Sequence, residues 1–519
     1  MPSNEDMLIN RLARLERAGD IPAALNLLGS QPLTPNAFAS IAISLYRRDL
    51  SALAFIIVHK LIEAGIENWM LRAIAAHLAI RLDQADAIAP SLTRLAQLLA
   101  GDATQRDAAR QLLDPLLPRD AVVAFHTGNH ALTRAYTRLW ATVDPQTAAR
   151  LAAPAANRTP DYARFLEPDD AGKLQRLTAP AAGTPRAPRR VVLGIRHRWS
   201  SEQPDSREHD MPPRYELAFR SYGWQTQRHD LRSFADAALV AEDYRALAAL
   251  CREGDADLLF IDDFQPQRGN HAARDIIAAL RLECPKLKIV SLYPDPWAPE
   301  RWDDMEAGAG LLDGIWSAVV TPVWQRPAFA GKALFLPFPN GGTYPPSPPL
   351  APRFRFAGGV QYTNWDRAFW AAAILEAGLP LRIESSDHQE DHRDALESFR
   401  AYMMRAQTGE VALNFARRSN GVLTLTNRTF ETLATGCLLV QERSDNIDPF
   451  LTAGRHYLRF ETLADLVDIA HLLATEPDRA EAIRHEGAAY MAEHYADERL
   501  IGYLDQFLFH RESAARVAA

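Results

Sequence analysis

Residues 424 to 440, TLTNRTFETLATGCLLV, have the pattern of a short helix that ends at Gly436 and leads at once into an apolar strand. Thr426 or Asn427 suits the N-cap, because short polar side chains accept hydrogen bonds from the first helical turn. Glycine suits the left-handed residue that follows a helix. A helix followed directly by a continuous apolar strand is typical of a parallel sheet that helices cover on both faces.

The same helix-to-strand unit recurs before and after this stretch. In the C-terminal part of the chain, apolar strands are predicted at residues 353–359, 379–385, 410–415, 436–442 and 456–460. The helices are predicted at residues 365–377, 391–405, 427–435, 462–475 and 478–493. A second set of apolar strands is predicted upstream, at residues 190–195, 257–262, 288–293, 314–320 and 333–338. The pattern indicates two α/β domains with doubly wound, Rossmann-like sheets.

Residues 5 to 150 differ, because their apolar residues recur at helical spacing without an alternating strand pattern. In RAGDIPAALNLL, Gly19 suits a break between two helices and Asp20 suits the N-cap of the second. The segment resembles tetratricopeptide-type hairpins, but it has no clean period of about 34 residues, and a generic helical bundle is the alternative. The predicted fold class is therefore α/β, with two Rossmann-like domains preceded by an all-α helical domain.

Two linkers divide the chain. Residues 178–190, TAPAAGTPRAPRR, lack apolar periodicity, and residues 337–352, PFPNGGTYPPSPPLAP, are dense in proline and glycine. The predicted domains are a helical domain at residues 1–177 and Rossmann-like domains at residues 190–340 and 353–505. Two such sheets joined by a short linker are expected to form a cleft, with ligands beyond the carboxyl ends of the strands.

Composition excludes several classes of protein. A hydrophobic fraction of 47% and a charged fraction of 24% are those of a globular protein. The net charge of −8 argues against nucleic acid as the main partner, since phosphate binding needs a concentrated basic surface. Three cysteines without metal-ligand spacing predict neither a disulfide framework nor a zinc site. With no signal peptide and no apolar run long enough to span a membrane, a cytoplasmic location is expected.

Glycine and polar residues collect after the strands of the last domain, where ligands bind in such sheets. Gly358 and Gly359 follow its first strand, and Arg367 opens the next helix. Adjacent glycines let backbone amides approach an anion closely, although ordinary turns use the same pair. Asn414 and Arg417 follow the third strand. These five residues are candidates for binding an anionic ligand.

Arg428 and Glu431 lie three residues apart, so the predicted helix presents them on one face. A cation in the first helical turn opposes the helix dipole, at a cost of about a few tenths of a kcal/mol. An anionic group bound beside Arg428 would offset that cost, and the Glu431 carboxylate can accept two hydroxyls of a sugar. The alternative is a simple Arg428–Glu431 ion pair worth less than about 0.5 kcal/mol.

Further motifs surround this helix. They are a strand that ends in Leu413-Asn414, the core NRTFETLATGCLLV, a run with Phe450, Gly454 and Tyr457, and the tail EGAAYMAEHY. With these motifs, residues 353–505 resemble the C-terminal half of GT-B glycosyltransferases, in the branch that contains the spore-maturation CgeB-like proteins. Residues 190–340 resemble the N-terminal half more loosely.

The resemblance implies that Glu431 binds the ribose of a nucleotide and that Asn427 and Arg428 face its diphosphate. The full set of expected donor-binding residues is Gly358, Gly359, Arg367, Asn414, Arg417, Asn427, Arg428, Thr429 and Glu431. One position departs from the family pattern, because relatives carry an acidic residue where this chain has Leu423. The carboxylate that would face the donor sugar is therefore absent or supplied elsewhere.

Two residues of the first Rossmann-like domain are candidate bases. Asp295 lies between two prolines in YPDPW, a rigid mount at a strand end, although aspartate also forms ordinary turns. His197 follows the first strand in GIRHRW, where a solvated histidine is the alternative. The segment IDD at residues 261–263 resembles an acidic metal site. Because GT-B enzymes generally stabilise the leaving diphosphate with helix ends and arginine or lysine, no metal is expected.

Together these features predict a glycosyltransferase whose nucleotide sugar is a substrate, with no cofactor. Asp295, His197 and Arg428 are the predicted catalytic residues. We expect the helical domain to recognise a protein acceptor, for instance a surface or flagellar subunit, and a glycan or a lipid-linked acceptor is the alternative. A helical domain that only packs on the enzyme and keeps it soluble or dimeric is a further alternative. There are two further alternatives for the function. One is a catalytically silent GT-B scaffold, suggested by leucine in place of an acidic residue at position 423, and the other is an epimerase on the same fold.

Overall fold

The computed structural model describes residues 4–155, 158–166, 187–196, 210–232, 237–264, 271–294, 296, 299–360, 364–384, 395–417 and 423–510. The chain divides into two compact units. The first contains residues 1–158, 359–381 and 461–467, and the second contains residues 159–358, 382–460 and 468–519. The domain boundaries derived from the sequence, at residues 1–177, 190–340 and 353–505, stay predictions.

The first unit is built from helices. These are α1 (Asn4–Arg17), α2 (Ile21–Gly29), α3 (Pro35–Arg47), α4 (Ser51–Glu63), α5 (Trp69–Arg81), α6 (Ala85–Leu99), α7 (Ala103–Leu113), α8 (Leu117–His126), α9 (His130–Val143) and α10 (Pro145–Leu151). Gly19 has a φ of +77° and the Asp20 side chain caps α2, as the sequence predicts. The all-α character of this part of the chain is confirmed, whereas the type of helical repeat stays a prediction.

One helix from the C-terminal part of the sequence belongs to this unit. This is helix α16 (Asp366–Glu376), which follows helices α11 to α15, whose ranges are given below. Its Phe369, and Trp365 just before the helix, belong to the apolar core formed by α5 to α9. The rings of Trp140 and Trp365 meet edge to face, with centroids 4.9 Å apart. The His126 ring is hydrogen-bonded to the carbonyl of Val360 at 2.7 Å. The helical core is therefore completed by residues more than 200 positions downstream.

Within the described ranges, the first sheet of the second unit has six parallel strands in the order β2-β1-β3-β4-β5-β6. They are β1 (Arg190–Arg196), β2 (Gln225–Leu231), β3 (Leu258–Asp262), β4 (Lys288–Leu292), β5 (Gly314–Ser317) and β6 (Ala333–Phe335). Helices α11 (Ala163–Leu166), α12 (Met211–Ser221), α13 (Ala237–Glu253), α14 (His271–Glu283) and α15 (Trp302–Ala309) precede or alternate with them. Short 3₁₀ turns occupy Pro299–Arg301, Pro322–Gln325 and Pro327–Phe329.

The second sheet has five strands in the order β11-β10-β9-β7-β8. They are β7 (Ala351–Ala357), β8 (Leu381–Glu384), β9 (Glu410–Asn414), β10 (Leu439–Glu442) and β11 (Leu458–Phe460). The remaining helices are α17 (Ala395–Ala406), α18 (Arg428–Ala434), α19 (Leu463–Thr475), α20 (Pro477–His494) and α21 (Asp497–Phe509). The fold class of helices followed by two α/β sheets is confirmed. Among the helices that the structure describes, none is both long and apolar enough to cross a lipid bilayer.

Helix α21 supplies part of the core of the first sheet. Its apolar residues Leu504 and Phe507 belong to the same buried cluster as Phe260 and Trp316, on β3 and β5. A Cβ added to Gly314, at the start of β5, would lie 3.1 Å from the ring of Phe507. The last described helix therefore packs closely against strands that precede it by almost 200 residues.

The proline-rich linker between the sheets is held in place by side chains. Its bonds are Phe338 N–H to Asn427 Oδ1 (2.9 Å), Asn340 N–H and Gly342 N–H to the Asp497 carboxylate (2.6 and 3.0 Å), Arg214 Nε–H to the Pro339 carbonyl (2.7 Å), and Arg400 Nε–H to the Gly341 carbonyl (3.1 Å). Backbone groups in loops seldom have so many specific partners, because water usually serves them. The linker is thus a fixed part of the second unit.

Candidate functional site

Glu431 lies in the first turn of α18 and is buried, with 8% of its surface exposed. Its Oε1 accepts hydrogen bonds from Arg214 Nη2 at 3.2 Å and from Asn427 Nδ2 at 2.7 Å. The Tyr402 hydroxyl donates to Oε2 at 3.4 Å. We call these four residues, Glu431, Arg214, Asn427 and Tyr402, the Glu431 cluster. It joins α12 beside the first sheet to α17 and α18 beside the second.

Arg214 is the buried cation of this cluster, with 3% of its surface exposed. Besides Glu431 it binds Asp210, whose Oδ2 lies 2.8 Å from Nη1, and its guanidinium stacks 3.7 Å from the centroid of the Phe399 ring. Burial acts to lower the pKa of Arg214, but the carboxylates of Asp210 and Glu431 outweigh it and raise the pKa. The buried charge is therefore compensated by two anions, as a stable buried ion needs.

Arg428 follows the N-cap of the same helix, and its guanidinium lies over the end of β7. A Cβ added to Gly358 would be 2.4 Å from Nη1 of Arg428 and 2.9 Å from its Cζ. Only glycine at position 358 therefore leaves room for the guanidinium in this position. Within the described ranges, no carboxylate lies within ion-pairing distance of Arg428, so Arg428 and Glu431 do not pair with each other. The Nε of Arg428 is buried there without a hydrogen bond.

Asn427 occupies the N-cap position of α18, but its side chain makes no capping hydrogen bond. Instead its Oδ1 accepts from the Phe338 amide and its Nδ2 donates to Glu431. The residue therefore connects the linker to the carboxylate that the sequence singled out. The helix begins where the sequence predicts, with Asn427 as its N-cap residue. The Asn427 side chain, which seemed suited to cap the helix, has a different role.

Asn414 and Thr429 lie behind this helix, in a buried network of their own. Asn414 Nδ2 lies 3.1 Å from the hydroxyls of Thr426 and Thr429 and 2.7 Å from Gln441 Oε1. Asn414 and Thr429 are 1% and 0% exposed. These bonds anchor α18 to β9 and β10, which fixes the direction of Arg428 and Glu431. Ligand binding by Asn414 and Thr429 stays a prediction.

Two other predicted donor-binding residues, Arg417 and Arg367, make contacts of their own. Arg417 lies 3.8 Å from Glu442, whose carboxylate also accepts the Arg417 amide at 3.0 Å. Arg367 belongs to the first unit, where its Nη1 donates to the Gly359 carbonyl at 2.8 Å. The two candidate bases, Asp295 and His197, lie outside the described residues. All of these assignments stay predictions.

A second charged group lies at the carboxyl edge of the first sheet, where β1 and β3 end. Arg196 Nε is 3.7 Å from Asp262 Oδ2, and Arg196 Nη2 is 3.7 Å from Asp263. Arg301 also pairs with Asp263. Burial raises the pKa of Asp262 to about 7, although Arg196 acts to lower it. The β1/β3 edge is the switch point of this strand order, where sheets of this type bind ligands.

Asp497, at the start of α21, holds the linker turn that adjoins the Glu431 cluster. Burial raises the pKa of Asp497 from an ordinary 3.8 to about 6, although the amide of Asn340 and the charge of Arg214 act to lower it. The folded protein therefore binds a proton on this carboxyl more tightly than the unfolded chain does. Its contribution to stability is complete below about pH 4 and is lost as the pH rises through about 6.

We expect Asp497→Asn to remove this part of the pH dependence. A shift of about two pKa units corresponds to about 3 kcal/mol of unfolding free energy between pH 4 and pH 7. Between pH 4 and pH 7, the free energy of unfolding measured with urea should fall by this amount more in the wild type than in the variant. Asp478→Asn, at an exposed position of α20, is the control and should show the same pH dependence of the unfolding free energy as the wild type. The same pH dependence in Asp497→Asn would refute the role assigned to Asp497.

Two members of the Glu431 cluster, Arg214 and Tyr402, were not among the predicted site residues. A signal for Arg214 was present, because Met211, Tyr215 and Ala218 define the apolar face of α12 and position 214 falls on that face. A cation on the buried face of a helix requires an anionic partner. The sequence gives no means of identifying that partner, since Glu431 is 217 residues away.

Residues 348–505 match the family described as glycosyl transferase-like. The chain contains a glycosyltransferase-like domain. The match covers less than a third of the 519 residues. This domain includes Glu431, Asn427, Tyr402 and Arg428, whereas Arg214 lies upstream of it. Among curated proteins, no sequence matches the chain significantly.

Solved structures with some likeness to the chain include the following three. A mutant of the O-GlcNAc transferase of Thermobaculum terrenum is 14% identical, with both chains covered completely and a TM-score of 0.35. HepE of Anabaena, in complex with UDP and glucose, is 10% identical over 63% of this chain and all of its own, with a TM-score of 0.38. The sucrose-phosphate synthase of Thermosynechococcus elongatus is 10% identical over 63% of this chain and all of its own, with a TM-score of 0.41. TM-scores this low establish neither the fold nor the function of this chain.

Proposed function

We propose that the protein transfers a sugar from a nucleotide diphosphate sugar to an acceptor. The observation that carries the proposal is the placement of Arg428 over Gly358, one helical turn from the Glu431 carboxylate, inside the glycosyltransferase-like domain. Arg428 is a cation with no carboxylate partner among the described residues, which suits a diphosphate. Glu431 offers a carboxylate for the ribose hydroxyls.

In this proposal catalysis consists of positioning and of electrostatic stabilisation. The bond between the anomeric carbon and the diphosphate oxygen breaks, and a bond from the acceptor to the anomeric carbon forms. Arg428 stabilises the negative charge that grows on the departing diphosphate. The acceptor proton goes to a base, for which Asp295 and His197 are the proposed candidates. The reaction as proposed requires no metal ion and no cofactor.

A nucleotide panel tests the proposal. Thermal unfolding of the full chain is measured with UDP, GDP, CMP and TDP and with the corresponding sugar donors, because a ligand that binds the folded state stabilises it. We expect one nucleotide to raise the midpoint, and the matching sugar donor to be hydrolysed or transferred. If no nucleotide raises the midpoint and no donor is consumed, the proposed function is wrong.

The acceptor that we propose is a protein recognised by the helical unit, since arrays of helical hairpins present extended surfaces suited to protein chains. Among the described residues of this unit, two large apolar side chains are exposed, Met7 (52%) and Val123 (58%). Labelled sugar should enter the protein fraction of a cell extract, and Met7→Glu and Val123→Glu should lower that transfer without changing donor hydrolysis. Label in a glycan or lipid fraction would favour the alternative acceptors.

A catalytically silent scaffold is the second candidate, because position 423 carries leucine. The Leu423 carbonyl accepts a hydrogen bond from Asn446 at 2.9 Å, and its side chain has no group that could face a sugar. A scaffold would bind a nucleotide in the panel yet consume no donor. Turnover of any donor above the level of the Arg428→Ala variant would exclude it.

Gly358→Ala is expected to act on Arg428 while preserving the fold. The three atoms nearest to the added Cβ all belong to the guanidinium at the far end of the flexible Arg428 side chain, so the guanidinium should move and the backbone should not. Removal of one preorganised group from a developing anion lowers turnover by roughly 100-fold. Kinetics should show this fall in both Gly358→Ala and Arg428→Ala, with a nearly unchanged melting temperature. Gly310→Ala, whose Cβ would meet nothing within 4 Å, is the control.

The role assigned to Arg428 would be contradicted if its own replacement slowed turnover while Gly358→Ala did not. It would also be contradicted if Arg428→Ala weakened nucleotide binding and turnover equally, because a group that stabilises the transition state acts more strongly on turnover.

A further inference from the structure

The two oxygens of the Glu431 carboxylate have different surroundings. Oε1 accepts two hydrogen bonds, from Arg214 and from Asn427. Among the residues that the structure describes, Oε2 has only the long contact with the Tyr402 hydroxyl at 3.4 Å. Since each carboxylate oxygen has about two lone-pair sites, Oε1 is saturated and Oε2 keeps room for another donor.

Both donors to Oε1 are themselves fixed by the linker. Arg214 Nε donates to the Pro339 carbonyl at 2.7 Å, and Asn427 Oδ1 accepts from the adjacent Phe338 amide at 2.9 Å. Asp210 and the ring of Phe399 hold the rest of the Arg214 guanidinium. Neither donor can turn away from Oε1 without breaking another contact. The Glu431 carboxylate therefore has one orientation, with Oε2 as its available oxygen.

We infer that Arg214, from outside the glycosyltransferase-like domain, is a positioning residue that presents Oε2 of Glu431 to a single ribose hydroxyl of the donor nucleotide. The inference rests on the proposed function and extends it to the chemistry of the ribose contact. Recognition of the ribose is then one-sided, because Oε1 is not available for a second hydroxyl. An arginine suits this role, since its planar fork binds Asp210, Pro339 and Glu431 at once.

Arg214→Lys is the test variant, because lysine keeps the buried charge and loses the fork. The probes are UDP, 2′-deoxy-UDP and 3′-deoxy-UDP, or the guanosine set if the wild type prefers GDP. For the wild type, we expect removal of one of the two hydroxyls to weaken binding at least tenfold and removal of the other to have little effect. Arg214→Lys should weaken binding of the complete nucleotide about tenfold. It should weaken binding of the analogue that lacks the recognised hydroxyl less than twofold.

Arg220→Lys is the matched control, on the same helix and with a side chain 60% exposed. It should leave all three affinities unchanged. Glu431→Gln should abolish the preference for the hydroxyl, and adding Arg214→Lys to it should have no further effect on that preference. Thermal unfolding of each variant without ligand shows how much protein is folded, so that affinities refer to folded protein.

Equal losses for the complete and deoxy nucleotides in Arg214→Lys would overturn the inference, because a purely structural role does not distinguish the two ligands. Loss of affinity on removing either hydroxyl from the wild-type ligand would also overturn it, since that result requires both oxygens. If the wild type bound no nucleoside diphosphate at all, the proposed function would fall together with the inference. Binding with equal losses would overturn the inference alone.

Discussion

Removal of residues 1–155 should leave a chain that no longer folds stably, even though the helices form a unit of their own. Trp365 and Phe369 belong to the apolar core of α5 to α9, so the deletion would expose them. Two aromatic side chains bury about 300 to 500 Å², which at about 25 cal/mol per Å² corresponds to an upper estimate of about 8 to 12 kcal/mol. This is as large as the whole stability of a typical domain, about 5 to 15 kcal/mol.

The deletion is tested by expressing residues 156–519 beside the full chain and comparing soluble yield and thermal unfolding. A deletion variant that also carries Trp365→Gln and Phe369→Gln is the matched control, because it removes the exposed apolar surface. We expect the control to regain solubility in part. A soluble truncated protein with the cooperative unfolding of the full chain would show that the helical unit is dispensable for stability.

Glu431→Ala should affect both binding and stability. Loss of the carboxylate leaves a ribose hydroxyl without its charged acceptor, which weakens nucleotide binding by about 1 to 3 kcal/mol. It also leaves buried Arg214 with Asp210 as its only carboxylate partner among the described residues. Removing one partner of a buried ion pair destabilises by about 3 to 5 kcal/mol, and the remaining aspartate should reduce this to about 2.

Nucleotide affinity and urea unfolding measure the two effects separately. Glu493→Ala, with a side chain 71% exposed on α20, should change neither. Wild-type affinity in a folded Glu431→Ala protein would refute the donor site. Wild-type stability would instead show that the contact between Arg214 and Glu431 contributes little to folding. Nothing in the local sequence indicates this contact, because Glu431 lies at the start of a helix that was expected to be open.

The sequence predicted strands such as β1 and β3, whose side chains are buried on both faces, and missed the edge strand β2. β1 and β3 have almost wholly buried residues and therefore appear as apolar runs. β2, QTQRHDL, is an edge strand with largely accessible side chains, so neither hydrophobicity nor alternation marks it. Helix α21 was also missed, because no strand follows it to complete the helix-to-strand unit.

The sequence predicts which residues of the candidate site are close together only where they are close in the chain. Asn427, Arg428 and Glu431 share one helical turn, so helical geometry alone places them together. Gly358 was also predicted as a site residue, but its proximity to Arg428 and the part played by Arg214 depend on contacts between distant elements, which local patterns do not encode. The linker also differs from what its composition indicated, since proline and glycine predict a loop but do not predict the side chains that hold it.

The packing of α21 has a consequence for the order in which the protein can fold during synthesis. β1 to β6 are complete once residue 335 has been made, yet their core includes Leu504 and Phe507. The linker turn likewise waits for Asp497, which is 157 residues beyond Asn340. A ribosome therefore adds well over 150 residues while this face of the first sheet has the cover of α12 but lacks that of α21. We expect chaperones that bind exposed apolar strands to recognise the nascent sheet during this interval.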